Sequence, residues 1–240
     1  MLQVKNNYET KDGGFSVAPK FPHASTLGTL LTIDKLYDDK AAKAMFLHTL
    51  NSMKKGGIYD LIDGGFCRYS VDSEWVVPHF EKMLYDNALL CELYTNTYLT
   101  YKDESFLTTA KEIADFWHNF MSEDSLFYSA SDADSEGEEG KFYVWGQKEI
   151  YDILGNEKAD LICAYYGVSI AGNFEGKNIL NVVMEKEALE KQFSLSVSEI
   201  DEIIKSAKSD LLAEREKRIR PGLDDKVIAS WNGLMLSGYA

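Results

Sequence analysis

Apolar residues recur along most of this chain at spacings of three and four, the mark of helices with one buried face. "STLGTLLTIDKLY" and "DKAAKAMFLHTLNSMKKGG" predict two amphipathic helices joined by a tight polar link. The second closes on Lys54, Lys55 and Gly56, where cations suit the negative end of the dipole and glycine permits a left-handed cap. "IYDLIDGGFCRYSVDSEW" breaks the period with aromatics and glycines, predicting an ordered loop with a small β-ribbon. Pro78 then predicts a helix start running to about Tyr101, because proline fits the first helical position. Asp103 is placed to cap the next helix, whose stripe is Phe106, Ala110, Ile113 and Trp117. "SLFYSASDADSEGEEGKFYVW" reads as a hairpin about an acidic turn.

Short helices return in "GQKEIYDILG" and "KADLICAYYGV", "GNFEGKNILNVV" reads as extended, and Ser196 with Glu199 forms a capping box ahead of a longer helix. Asp224 is placed to cap a last helix with an apolar face at Leu234, Met235, Leu236 and Tyr239. That face predicts a packing partner beyond residue 240. The pattern is helical pairs separated by long aromatic loops, without the strand–helix alternation or glycine-rich loop of nucleotide-binding sheets. Such units predict a single all-α domain over 1–240, a ring of hairpins with small β-hairpins in its loops.

Charge narrows the partners. With 25 basic against 39 acidic residues the net charge is −14, which repels phosphate backbones and anionic membranes. Nucleic acid and membrane are excluded as partners on this reading. Cys67, Cys91 and Cys163 are scattered and form no C-x-x-C pair, so buried thiols in a cytoplasmic protein are expected, without a metal site.

The chemistry-bearing residues concentrate in "SEWVVPHFEKMLYDNALL". On a helix beginning at Pro78, His79, Lys82 and Asp86 share one stripe, with Glu81 on another side and Asn87 close by. An imidazole at a helix N-terminus beside an ammonium and a carboxylate can move protons on a bound polar substrate. The plainer alternative is an i,i+4 pair of Lys82 with Asp86, with His79 bonded to the loop before it. Arg68, Tyr69 and Trp75 are candidate walls for a polar ligand. Asp132 and Asp134 open an acidic turn that imitates a calcium loop, but its twelfth position is Tyr143 instead of glutamate. Those carboxylates either bond within the turn or bind sugar hydroxyls. Asp225 is a candidate acid or base in the last helix's first turn, and Trp231 either fills core or stacks on a sugar ring.

"GGFSVAPKFPHASTL", "GGIYDLIDGGFCRYSVDSEWVVPHFEKMLYDNALL", "SASDADSEGEEGKFYVW" and "RPGLDDKVIASWNGLM" resemble, in that order, signature segments of the YyaL / spermatogenesis-associated protein 20 family. The resemblance implies a partial (α/α)6 toroid, similar to six-hairpin glycosidases and sugar 2-epimerases. It also implies that a thioredoxin-like domain precedes this segment in the full-length protein. Asp63 and Cys67 stand where that family more often has glycine and histidine. Two functions remain open: a carbohydrate-active enzyme of the epimerase, isomerase or glycoside-processing kind, or a non-catalytic scaffold for a ligand or partner. In the enzyme reading His79, Asp86 and Asp225 are catalytic, no cofactor is required, and Arg68, Tyr69, Trp75, Glu81, Lys82, Asn87, Asp132, Asp134 and Trp231 contact a small polar or carbohydrate ligand.

Overall fold

The computed structural model describes residues 2–240. Among them are ten helices and nine strands of two residues each, so the all-α expectation holds. Helix α1 spans Leu2–Asn7, α2 Ala24–Tyr37 and α3 Lys40–Lys55. Asp39 begins α3 by accepting from the amides of Ala41 and Ala42. The α3 terminus differs from the expected left-handed cap: Gly56 has φ −80°. Glycine is needed there for closeness, because a Cβ would lie 2.4 Å from the Trp75 carbonyl oxygen.

The central pair is α4, Leu84–Tyr101, against α5, Glu104–Phe120. Asp103 Oδ1 caps α5 through the Ser105 amide at 2.9 Å, and the predicted stripe of Phe106, Ala110, Ile113 and Trp117 is buried. Helices α6, Gln147–Leu154, and α7, Asn156–Tyr166, form the next pair. After them come α8, Lys186–Phe193, and α9, Val197–Arg215, which begins with the expected Ser196–Glu199 capping box. Two helices escaped the pattern: α1, and α8, whose eight residues bury only Leu189 and so show little periodicity. The last helix, α10, spans Ala229–Tyr239 and lies along α4. Met235 and Gly238 are its buried contacts, while Leu236 and Tyr239 stay exposed. Asp224 does not cap it, since it lies four positions before the Ile228 cap position.

Pairs α2–α3, α4–α5, α6–α7 and α8–α9 pack side by side, and α4 is also met by α2 and α10. The loops between them carry the strands. Tyr69–Ser70 (β1) pairs with Pro78–His79 (β2), placing Tyr69 opposite His79. Lys82–Met83 (β3), Ala130–Ser131 (β6) and Leu223–Asp224 (β9) make a three-stranded ribbon with β6 in the middle. Ser122–Glu123 (β4) pairs with Leu126–Phe127 (β5), and Asp134–Ser135 (β7) with Glu138–Glu139 (β8). The acidic stretch thus forms the expected hairpin in shortened form, because Ala130–Ser131 is recruited by β3 and β9.

The principal correction concerns Pro78. It begins a strand, and α4 starts six residues later at Leu84. From Pro78 to Leu84 burial alternates strictly: Pro78, Phe80, Lys82 and Leu84 point inward, while His79, Glu81 and Met83 point outward. The main chain is committed to loop partners along this run. The Arg68 amide donates to the Glu81 carbonyl at 2.8 Å and the Leu84 amide to Ser129 at 2.9 Å. The expected helical stripe of His79, Lys82 and Asp86 therefore does not form.

A candidate acid–base site on the loop face

The strand separates two clusters. On its inner side Lys82 is fully buried, its Nζ 2.9 Å from Asp60 Oδ2 and 2.8 Å from the Gly64 carbonyl. Arg215 of α9 donates to the other oxygen of Asp60 at 2.9 Å. Burial would raise the Asp60 carboxyl, but the Arg215 and Lys82 cations more than offset it and hold Asp60 well below the usual range. Burial likewise pulls Lys82 down, while Asp60 leaves it above the ordinary ammonium value. Lys82 is accordingly a structural cation, and its expected pairing with Asp86 is replaced by Asp60.

Asn87 also belongs to this inner layer. Its Oδ1 accepts from the Phe66 amide at 2.7 Å, and its Nδ2 donates to the Phe66 and Met83 carbonyls at 2.9 Å. It staples the Gly64–Gly65 loop to α4 and has no surface left for a ligand. Trp75 is buried too, donating from Nε1 to the Asp12 carbonyl at 2.9 Å beneath the Lys20 ammonium. These placements remove Lys82, Asn87 and Trp75 from the ligand wall. Asp63 and Cys67 lie in the same layer. Asp63 faces Arg215 at 3.5 Å, and Cys67 is buried, its thiol pushed up to about 12 by desolvation.

The outer side gathers a continuous line of polar groups. His79 Nδ1 lies 2.7 Å from Glu139 Oε1, and its Nε2 lies 3.9 Å from Glu81 Oε2. Arg68 Nη1 donates to the same Glu81 oxygen at 2.9 Å. Burial raises the pKa of the neighbouring Tyr85 phenol, Asp86 adds to the rise and Arg68 opposes it. Tyr69 stacks on the His79 ring at 5.0 Å and 21°, and Trp231 meets Tyr85 edge to face at 4.9 Å. Six predicted residues thus come together: Arg68, Tyr69, His79, Glu81, Asp86 and Trp231. Tyr85 and Glu139 complete the group.

Asp86 has the most displaced acid chemistry of this face. Desolvation drives its carboxyl up to about 7, against opposing influences from Tyr85 and Arg68 and with help from Glu81. Its Oδ2 and the Nε of Arg68 are both buried without hydrogen-bond partners. The cluster therefore holds one unpartnered acceptor and one unpartnered donor beneath its surface, together with a carboxyl raised to about 7.

The remaining candidates lie at the margins. Asp132 follows Ser131, the partner of Lys82, so strand alternation turns it to the outer face shared with Glu81, where it is exposed. Asp134 is exposed opposite Glu139 in the β7–β8 hairpin. Asp225 is exposed and lies before α10, not in its first turn; it acts on Tyr128 from a distance and joins no contact of the line described. No group of three or more His, Cys, Asp or Glu among the described residues is arranged to hold a metal ion. No helix among them is long and apolar enough to cross a membrane.

No family model matches the chain. Human spermatogenesis-associated protein 20 is 38% identical over 99% of this chain, and an uncharacterized Caenorhabditis elegans protein is 35% identical over 98%. The chain covers 34% and 36% of their respective lengths, so it spans about a third of the curated relatives it matches. Among solved structures, cellobiose 2-epimerase from Bacillus thermoamylovorans superposes with TM-score 0.50 over 99% of this chain and 67% of its own, at 10% identity. The enzyme of the same name from Spirochaeta thermophila gives TM-score 0.50 over 98% and 59%, at 14% identity. The fold is that of the six-hairpin glycosidase-like (α/α)6 toroids. Over nearly its whole length, the chain is homologous in sequence to a segment of spermatogenesis-associated protein 20 that makes up about a third of that protein.

Proposed function

We propose that the outer cluster is the acid–base centre of a carbohydrate-active enzyme of the epimerase or isomerase kind. His79 and Asp86 move the protons. Arg68, Glu81 and Tyr85 hold substrate hydroxyls between them, and Tyr69 and Trp231 supply flat apolar contacts for the ring.

The observation that carries this reading is Asp86. A half-buried carboxyl raised to about 7 is a poor stabilising device but an effective proton exchanger at neutral pH. Its unpartnered Oδ2 and the unpartnered Nε of Arg68 match a hydroxyl, which both donates and accepts. Removal of a proton beside a sugar carbonyl and its return from the other face needs two such groups, and this line of residues has one at His79 and one at Asp86. The sugar class comes from the scaffold, by analogy with the two cellobiose 2-epimerases.

The test is product analysis on a panel of aldoses, ketoses and disaccharides with the wild-type chain, His79→Ala and Asp86→Asn. The expected result is conversion of at least one sugar, lost in both variants while the far-ultraviolet circular dichroism is unchanged. Sugar binding that survives both substitutions, with no conversion by any form, would identify a ligand-binding scaffold instead.

A further inference from the structure

Glu139 is brought to the site by a hairpin, in a part of the chain whose spacing gave no hint of contact with His79. Strands β7 and β8 turn through Glu136 and Gly137, at φ 54° and 77°. Directly after Glu139, Gly140 has φ +74°, and a Cβ there would lie 2.3 Å from the Phe80 ring. Phe80 is the residue next to His79. The end of the hairpin is therefore pressed onto the strand that carries the imidazole, and a glycine allows that approach.

The two ring nitrogens of His79 have different surroundings. Nδ1 is 2.7 Å from Glu139 Oε1, within hydrogen-bond range, while Nε2 is 3.9 Å from Glu81 Oε2, beyond it. An ionised glutamate only accepts, so the proton of this contact sits on Nδ1. In the neutral ring Nε2 then keeps its lone pair, directed toward the part of the cluster that holds Glu81. Stacking on Tyr69 and the β1–β2 pairing limit rotation of the ring about this contact.

We infer that Glu139 is the positioning residue of this site: it accepts the Nδ1 proton of His79 and so leaves Nε2 as the basic nitrogen facing Glu81. The inference rests on the acid–base reading for its catalytic meaning, but its geometry can be tested without a substrate. Glu139 is 45% exposed in its side chain, so its replacement leaves the core untouched.

The experiment is long-range proton–nitrogen correlation NMR on the histidine-labelled chain at alkaline pH, with His79 assigned by His79→Gln. The expected wild-type spectrum shows the His79 proton on Nδ1. In Glu139→Ala that preference is lost, and Glu139→Gln, which keeps an acceptor oxygen, restores part of it. A wild-type ring protonated at Nε2, or a tautomer unchanged in Glu139→Ala, overturns the inference. With a sugar substrate in hand, Glu139→Ala lowers kcat at least about tenfold and leaves KM within about twofold. The two readings fail separately. Nδ1 protonation that depends on Glu139 in a protein without turnover sinks only the enzymatic reading, whereas turnover in a protein whose tautomer ignores Glu139 sinks only this one.

Discussion

Asp86 carries a cost that can be measured. Its carboxyl titrates near 7 in the fold and near 3.8 when unfolded. Between those values the native state binds a proton that the unfolded state does not, so stability falls as pH rises from about 4 to about 7. Asp86→Asn keeps the shape and removes the charge. Urea denaturation at pH 8 should show the variant more stable than wild type by roughly 1–3 kcal/mol, allowing for the partial exposure of the group, and nearly equal at pH 4. Equal stability at both pH values would mean that Asp86 is an ordinary solvated carboxylate. Asp60 behaves with the opposite sign. Its depressed carboxyl contributes stability above the ordinary carboxylate range, and that contribution is lost as pH falls through its folded value. Lys82→Met leaves Arg215 as the only cation hydrogen-bonded to Asp60 and Oδ2 without its partner, and should cost about 3–5 kcal/mol in the same assay at pH 7. A loss under 1 kcal/mol would contradict the buried pairing.

At the scale of elements, strand β3 and the start of α4 act as a partition with structural cations behind it and the proposed proton-transfer groups in front. Asn87 fastens the partition by closing both main-chain groups of Phe66. Asn87→Ala should therefore destabilise by about 2–4 kcal/mol, and amide hydrogen exchange at Phe66 should accelerate along with that of its loop neighbours. Exchange at Phe66 unaffected by the substitution would show that the loop is held otherwise. Much of the helical frame was legible in the sequence because α2, α3, α5 and α9 carry periodic faces and clear caps at Asp39, Asp103 and Ser196. Pro78–Leu84 was misread for a physical reason. Its strand alternation places Lys82 among the buried positions, and a lysine does not look buried until its partner Asp60 is known. Reading the run as P-H-F-E-K-M-L with period two would have set His79 and Glu81 on one face, as the structure does. Glu139 was not legible at all: it lies 60 residues from His79, and nothing local marks the contact.

For the whole molecule, helical pairs provide rigid walls, and the irregular loops at their ends bring Arg68, His79 and Glu139 onto one face with Asp86 of the first turn of α4. Loops on such a frame can carry chemistry while the buried pairs hold their shape. The central claim is that this face moves protons on a sugar, and solvent isotope exchange tests it most directly. The chain is incubated with reducing sugars in deuterium oxide, and loss of the carbon-bound hydrogen beside the carbonyl is followed by NMR. The account predicts exchange with the wild-type chain on at least one sugar, reduced by about 100-fold or more in both His79→Ala and Asp86→Asn. Absence of exchange with every sugar offered, or exchange undiminished in the two variants, would contradict it.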